Sequence, residues 1–281
     1  MPEAAFDGPD PPYPPRMDPT VERFRALARS SPWRWSTLRY VQRLHLGTRD
    51  HDVTRVFIRR PKLARTEQLD GTLLSVYRDE AQQVTPLSRR GYAPAGTRLR
   101  RRSNAAAVTL PSPTDVEVER DDDGLIRRRP GRVLDTDTAV IGSYYEVAVL
   151  DPVELADGND GGPGTTIEEL RAVDHHGREA WEAVLRPMPA YDPRCPCCPL
   201  LESEPLGGGG DLREEQPDVV FPDAHRVRLD VATGVCVSNE QLGGTRSGAG
   251  HDLTIEAVDE PLGDELFQTP PGRWARLLGR R

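Results

Sequence analysis

Three of the four cysteines in this 281-residue chain fall in one stretch, Cys195-Pro196-Cys197-Cys198-Pro199. Cys195 and Cys198 have the C-x-x-C spacing with which two thiolates grip one zinc ion, and Cys197 offers a third ligand. A fourth could come from His175, His176, His225 or Cys236. The second paired motif that a structural zinc site ordinarily brings is missing from the sequence. Two other readings stay open beside zinc. The plain one is reduced loop cysteines or a local structural tie. The other is a redox-active thiol, which C-P-x-C spacing suits when a helix N-terminus activates the first cysteine. Pro199 and the strand-rich surroundings do not supply that helix.

Elsewhere the sequence offers little that could catalyse a reaction. His175-His176 stands before Gly177 and reads as a pair of exposed turn residues, while His45 and His51 flank a loop. No G-x-S-x-G, H-E-x-x-H or phosphate-loop pattern is present. Gly207–Gly210 lacks the Lys-Ser/Thr that a phosphate loop requires, so it reads as a tether. Aspartate and glutamate total 45, which makes any one pair of carboxylates uninformative. The expectation is a protein that is not an enzyme, needs no cofactor and has zinc as its one candidate metal.

The formal net charge of −8 argues against nucleic acid as a partner. Basic residues are almost all arginine, with Lys62 the single lysine, a habit of GC-rich genomes. The N-terminus MPEAAFDGPDPPYPPR is acidic and proline-rich, without the basic start and apolar core of an export signal. No apolar run approaches the ~20 residues that span a bilayer. The sequence therefore reads as soluble and cytoplasmic, with no transmembrane segment.

The stretch 53–77, VTRVFIRRPKLARTEQLDGTLLSVY, shows how such residues would be positioned. Val56 and Ile58 share one face of a first strand. Pro61 breaks the run because it cannot donate to a ladder. Lys62–Leu69 and Thr72–Tyr77 then flank Asp70-Gly71, the strongest short hairpin signal. Further hairpins are expected at His175-His176-Gly177 and at Ala232-Thr233-Gly234. Strands are expected at Thr37–Leu46, at Leu125–Arg129, and across the final third. Thr138–Leu150 reads as a buried segment. One helix is expected, with Asp18 as N-cap, Pro19 at its first position, and Val21, Phe24, Leu27 and Ala28 as the apolar stripe. Residues 1–17 read as a proline-rich arm and 18–272 as one domain. Insertions fall near 79–124, where Arg89–Arg102 carries six arginines, and near 157–164. A linker falls near 202–217, and 273–281 form a basic tail. This is an α+β pattern: a large antiparallel sheet with few helices, since nothing alternates strand and helix.

Several pieces together resemble the LolA-like superfamily: outer-membrane lipoprotein carriers, the amino-terminal half of RseB, and mycobacterial lipid-carrier lipoproteins. They are Pro61-Lys62-Leu63-Ala64-Arg65, Asp70-Gly71, Leu229-Asp230-Val231-Ala232-Thr233-Gly234-Val235, and Asp264-Glu265-Leu266-Phe267 before Pro270. Uncharacterised actinobacterial members look nearest. The resemblance implies a curved half-barrel sheet covered by an N-terminal helix, with an apolar hollow that holds acyl chains. The residues expected to line that hollow are Val56, Ile58, Leu63, Leu74, Val76 and Trp181, with Phe24 and Leu27 as the lid face. The implied function is non-catalytic binding of an apolar or acyl ligand. The alternative is an intracellular regulatory or scaffold protein that binds a protein partner and uses the cysteines for zinc or oxidation sensing.

Overall fold

The computed structural model describes residues 17–46, 49–60, 62–78, 116–129, 144–158, 162–195, 198–204 and 218–268. Its first element, α1 (Val21–Ser30), begins two residues later than the sequence suggests, because Thr20 is the cap. Thr20 has extended backbone, and its hydroxyl accepts from the Arg23 amide at 3.2 Å. That bond satisfies one of the donors a helix start leaves open. Phe24, Ala26, Leu27 and Ala28 are buried along one side, whereas Val21 lies at the exposed end.

Nine strands follow among the described residues: β1 (Thr37–Leu46), β2 (Arg49–Arg59), β3 (Leu63–Gln68), β4 (Leu73–Arg78), β5 (Thr165–His175), β6 (Arg178–Pro187), β7 (Ala224–Asp230), β8 (Cys236–Leu242) and β9 (Gly250–Val258). They form one antiparallel sheet in the order β4-β3-β2-β1-β9-β8-β7-β6-β5. The chain thus runs out through one meander and back through another, and β1 pairing with β9 seals the two together. This is the expected α+β architecture, an open, half-barrel-like sheet with α1 over one face. A second helix, α2 (Tyr144–Leu150), occupies the end of the segment read as buried. Its Val147, Ala148, Val149 and Leu150 are all buried. Leu125–Arg129 makes an isolated bridge, Arg120 to Ile126, instead of the expected strand.

Strand registers divide the side chains cleanly between the two faces. Val56 pairs with Tyr40, Tyr40 with Ile255, His251 with Asn239, Asn239 with Val227, and Val227 with Ala183. All of these are buried and face the helices. The row one residue out of phase is polar: Arg43, Asp252, Ser238, Arg228, Glu182 and Arg171 run across the opposite face. Alternation with period two is what produces a dry face and a wet face from the same strands.

The turn between β7 and β8 presses directly against α1. Gly234 has φ +73, and a Cβ there would lie 2.8 Å from the Leu27 carbonyl oxygen. Gly234→Ala should therefore cost about 2 kcal/mol, from left-handed strain and the displaced helix. A shift in the urea midpoint at unchanged m-value would register it.

Candidate functional site

Phe24, Leu27, Val56, Ile58 and Trp181 come from α1, β2 and β6, and all join one apolar cluster between the sheet and the helices. Each is exposed by no more than 1%. Their surface is therefore filled by the protein's own side chains. Leu63, Leu74 and Val76 do not join them. Leu63 pairs with Arg59 and Val76 with Arg65, so both stand on the opposite face from Val56 and Ile58, and Leu74 is 49% exposed. The reason is register: β3 presents Ala64 and Thr66 to the helices, and β4 meets them with Tyr77 and Ser75. A slip of one residue in reading a strand moves its whole apolar set to the wrong side.

One polar group inside this cluster stands out. Trp181 is fully buried, and among the described residues its indole Nε1–H has no hydrogen-bond partner, a condition shared outside the cluster by Trp33 Nε1 and Thr66 Oγ1. A donor in that condition costs about 1–3 kcal/mol relative to a satisfied one.

The helical cover over the cluster is tied down by polar contacts at its rim. Arg23 pairs with Asp123 at 2.8 Å and Arg29 with Asp157 at 2.9 Å. Arg25 donates to the Ala156 and Thr165 carbonyls at 2.9 and 2.6 Å. Beneath, Ser31 Oγ donates to the Leu150 carbonyl at 2.7 Å and joins the ends of the two helices. Asp151, next in sequence, is held by the guanidinium groups of Arg129 and Arg194. Burial alone would raise its carboxyl, but those two arginines, with Arg60 nearby, hold it below the usual carboxylate range.

The cysteine loop hangs from the same region. Glu154 accepts from the Tyr191 hydroxyl at 2.5 Å, the Arg194 amide at 2.9 Å and the Leu200 amide at 2.8 Å. Both ends of the loop are thereby clamped to one buried carboxyl, which burial pushes above its ordinary range. Cys195 and Cys198 are half-buried on a turn in which the Cys198 amide donates to the Cys195 carbonyl at 3.3 Å. Cys197 lies outside the described residues. Among the described residues, no cluster of three metal-ligating groups includes either cysteine. The suggested fourth ligands are engaged elsewhere. His225 bonds Asn239 at 3.0 Å and the Glu202 carbonyl at 2.9 Å, and Cys236 is buried with its thiol pushed up.

On the polar face the structure brings His175 and His176 together with Asp252. His175 is buried, at 5% exposure, and not an open turn residue. β8 and β9 pair only over Ser238–Glu240 and Gly250–Asp252, and the tip of the β5–β6 hairpin meets β9 at the end of that pairing. There His175 Nε2 bonds the Leu253 carbonyl at 3.0 Å, and His176 Nε2 bonds Asp252 Oδ1 at 2.7 Å. Beside them lies a cleft of about 250 Å³ lined by His45, Arg226, Arg228, Ser238, Glu240 and Asp252 among others. Two adjacent histidines were the only signal in the sequence, since nothing in it places Asp252 opposite them.

No protein family, no curated protein and no solved structure matches this chain. No helix among the described residues is long and apolar enough to cross a membrane.

Proposed function

We propose that this chain is a non-catalytic binding protein. It holds an apolar ligand that carries a hydrogen-bond acceptor, such as an acyl chain ending in a carboxylate or ester, between the sheet and the two helices. The observation that carries the reading is the unpartnered indole N–H of Trp181 within the apolar cluster. A buried donor without an acceptor leaves the cost of desolvating it unrecovered. A ligand carbonyl or carboxylate supplies the missing acceptor, and its chain takes the place of apolar contacts now made by the cover. Access then requires α1 or α2 to lift, and the contacts holding α1 at its rim are polar and partly exposed. Lifting α1 also breaks the buried bond from Ser31 Oγ to the Leu150 carbonyl and uncovers Phe24 and Leu27, so the apolar chain must replace that burial.

Trp181→Phe tests this, because it removes the donor while keeping an aromatic ring. Affinity for a long-chain fatty acid should fall roughly 5–10-fold, the worth of one hydrogen bond. Affinity for an alkane of the same length should stay unchanged. If both ligands weaken alike, Trp181 contributes packing only. If the unmodified protein takes up neither, the proposal fails.

A further inference from the structure

The polar face carries a second site, independent of the acyl seat. We propose that His175, His176 and Asp252 bind a divalent first-row transition-metal ion at the lip of the outer cleft. One imidazole nitrogen from each histidine and one carboxylate oxygen all lie within 4.8 Å of one another. His176 Nε2 is 2.7 Å from Asp252 Oδ1, and His175 Nε2 is 3.7 Å from Asp252 Oδ2. Metal–ligand bonds of about 2.0–2.2 Å to each donor need only small side-chain movements from this starting geometry. Two imidazoles and one carboxylate form a donor set for zinc, cobalt, nickel or iron, not for calcium or magnesium. Asp252 also lines the cleft, so the ion's remaining position faces solvent there.

The hairpin is built to present the pair. His176 has φ +53 and Gly177 φ +80, the two left-handed residues of a type I′ turn. Asparagine and glycine adopt that turn most easily, yet a histidine occupies its first central position and turns its ring to Asp252.

Arg228 sets the affinity. Its Nη1 lies 3.2 Å from His175 Nδ1, so without metal Nδ1 accepts and the Nε2 proton goes to the Leu253 carbonyl. Ligation through Nε2 moves the ring proton to Nδ1, where it faces the guanidinium. Arg228 must then rely wholly on Glu182, whose Oε2 already accepts from its Nε at 2.7 Å. Removing the guanidinium should therefore tighten metal binding.

The test is a Co²⁺ titration of the full-length chain, read by visible absorbance, alongside a Cys195→Ser/Cys197→Ser/Cys198→Ser variant. The expected result is saturable d–d absorption that persists in the serine variant and shows no thiolate charge-transfer band. His176→Ala and Asp252→Asn should each weaken binding by more than about a hundredfold, beyond what a disturbed outer partner costs. Arg228→Gln should strengthen it. His176 is 43% exposed, so its alanine variant folds even where a buried substitution would not. Absence of a saturable signal overturns the proposal. So does a signal that vanishes with the cysteines and ignores His176 and Asp252.

Discussion

Asp151→Asn should lower the stability of the folded chain by about 3–5 kcal/mol, the cost of leaving buried charges without their counter-ion. The Asp151 side chain is 4% exposed, and those of Arg129 and Arg194 are 12% and 21% exposed. Asparagine keeps the volume and removes the charge, so both guanidinium groups lose their carboxylate at once. The damage spreads to the cover. Arg129 also donates to the Arg29 carbonyl near the end of α1, and Arg194 belongs to the cysteine loop. Urea denaturation at neutral pH measures the loss. A change under about 1 kcal/mol would mean that solvent screens the cluster as it does a surface pair.

Glu154→Ala should cost about 3 kcal/mol, because three donors lose one shared acceptor in a buried site. The Tyr191 hydroxyl and the amides of Arg194 and Leu200 would all be orphaned. Regaining the cost of burying the carboxyl offsets part of this, which keeps the figure below the simple sum. The variant should also release the cysteine loop, so thiol-specific alkylation of Cys195 and Cys198 should quicken. Unchanged alkylation together with unchanged stability would show that the clamp holds nothing.

The two carboxyls have opposite pH signatures. Asp151 has a folded pKa below its unfolded value of about 3.9, so its stabilisation is present above that value and is lost as pH falls through the folded pKa. Glu154 has a folded pKa above its unfolded value. The folded state then holds the proton more tightly, and acidification through the folded pKa favours folding. The acid limb of the stability curve should accordingly be shallower in Asp151→Asn and steeper in Glu154→Ala than in the unmodified chain.

Much of the fold was written locally. Thr37–Leu46 is a strand over the full expected span, and Asp70-Gly71 turns the β3–β4 hairpin with Gly71 at φ +87. His176-Gly177 and Thr233-Gly234 turn the next two hairpins because those glycines adopt left-handed backbone at no steric cost. The closure of the two meanders through β1 and β9 had no local sign, since a pairing between residues 38–45 and 250–258 depends on the whole sheet. Tyr144–Leu150 has no amphipathic stripe to announce a helix: its Val147–Leu150 are buried on every side. At Leu63, Leu74 and Val76 apolar character does not give an inward direction. Only the register with β2 shows that Ala64 and Thr66 face the helices.

The candidate sites were legible in unequal measure. Five of the eight apolar positions converge as expected, because Phe24, Leu27, Val56, Ile58 and Trp181 follow the periods of their own elements. The missing partner of the Trp181 indole could not be read from a sequence, since satisfaction of a buried donor depends on every neighbour at once. The cysteine motif is visible in the sequence through spacing alone. The histidine–aspartate group has no spacing to find, because Asp252 arrives by the curl of the sheet.

Native mass spectrometry of the delipidated full-length chain, mixed with a long-chain fatty acid under reducing conditions, tests the acyl seat most directly. A one-to-one complex should survive transfer to the gas phase and dissociate when the protein is unfolded in solution. A bare protein mass at saturating fatty acid would contradict it.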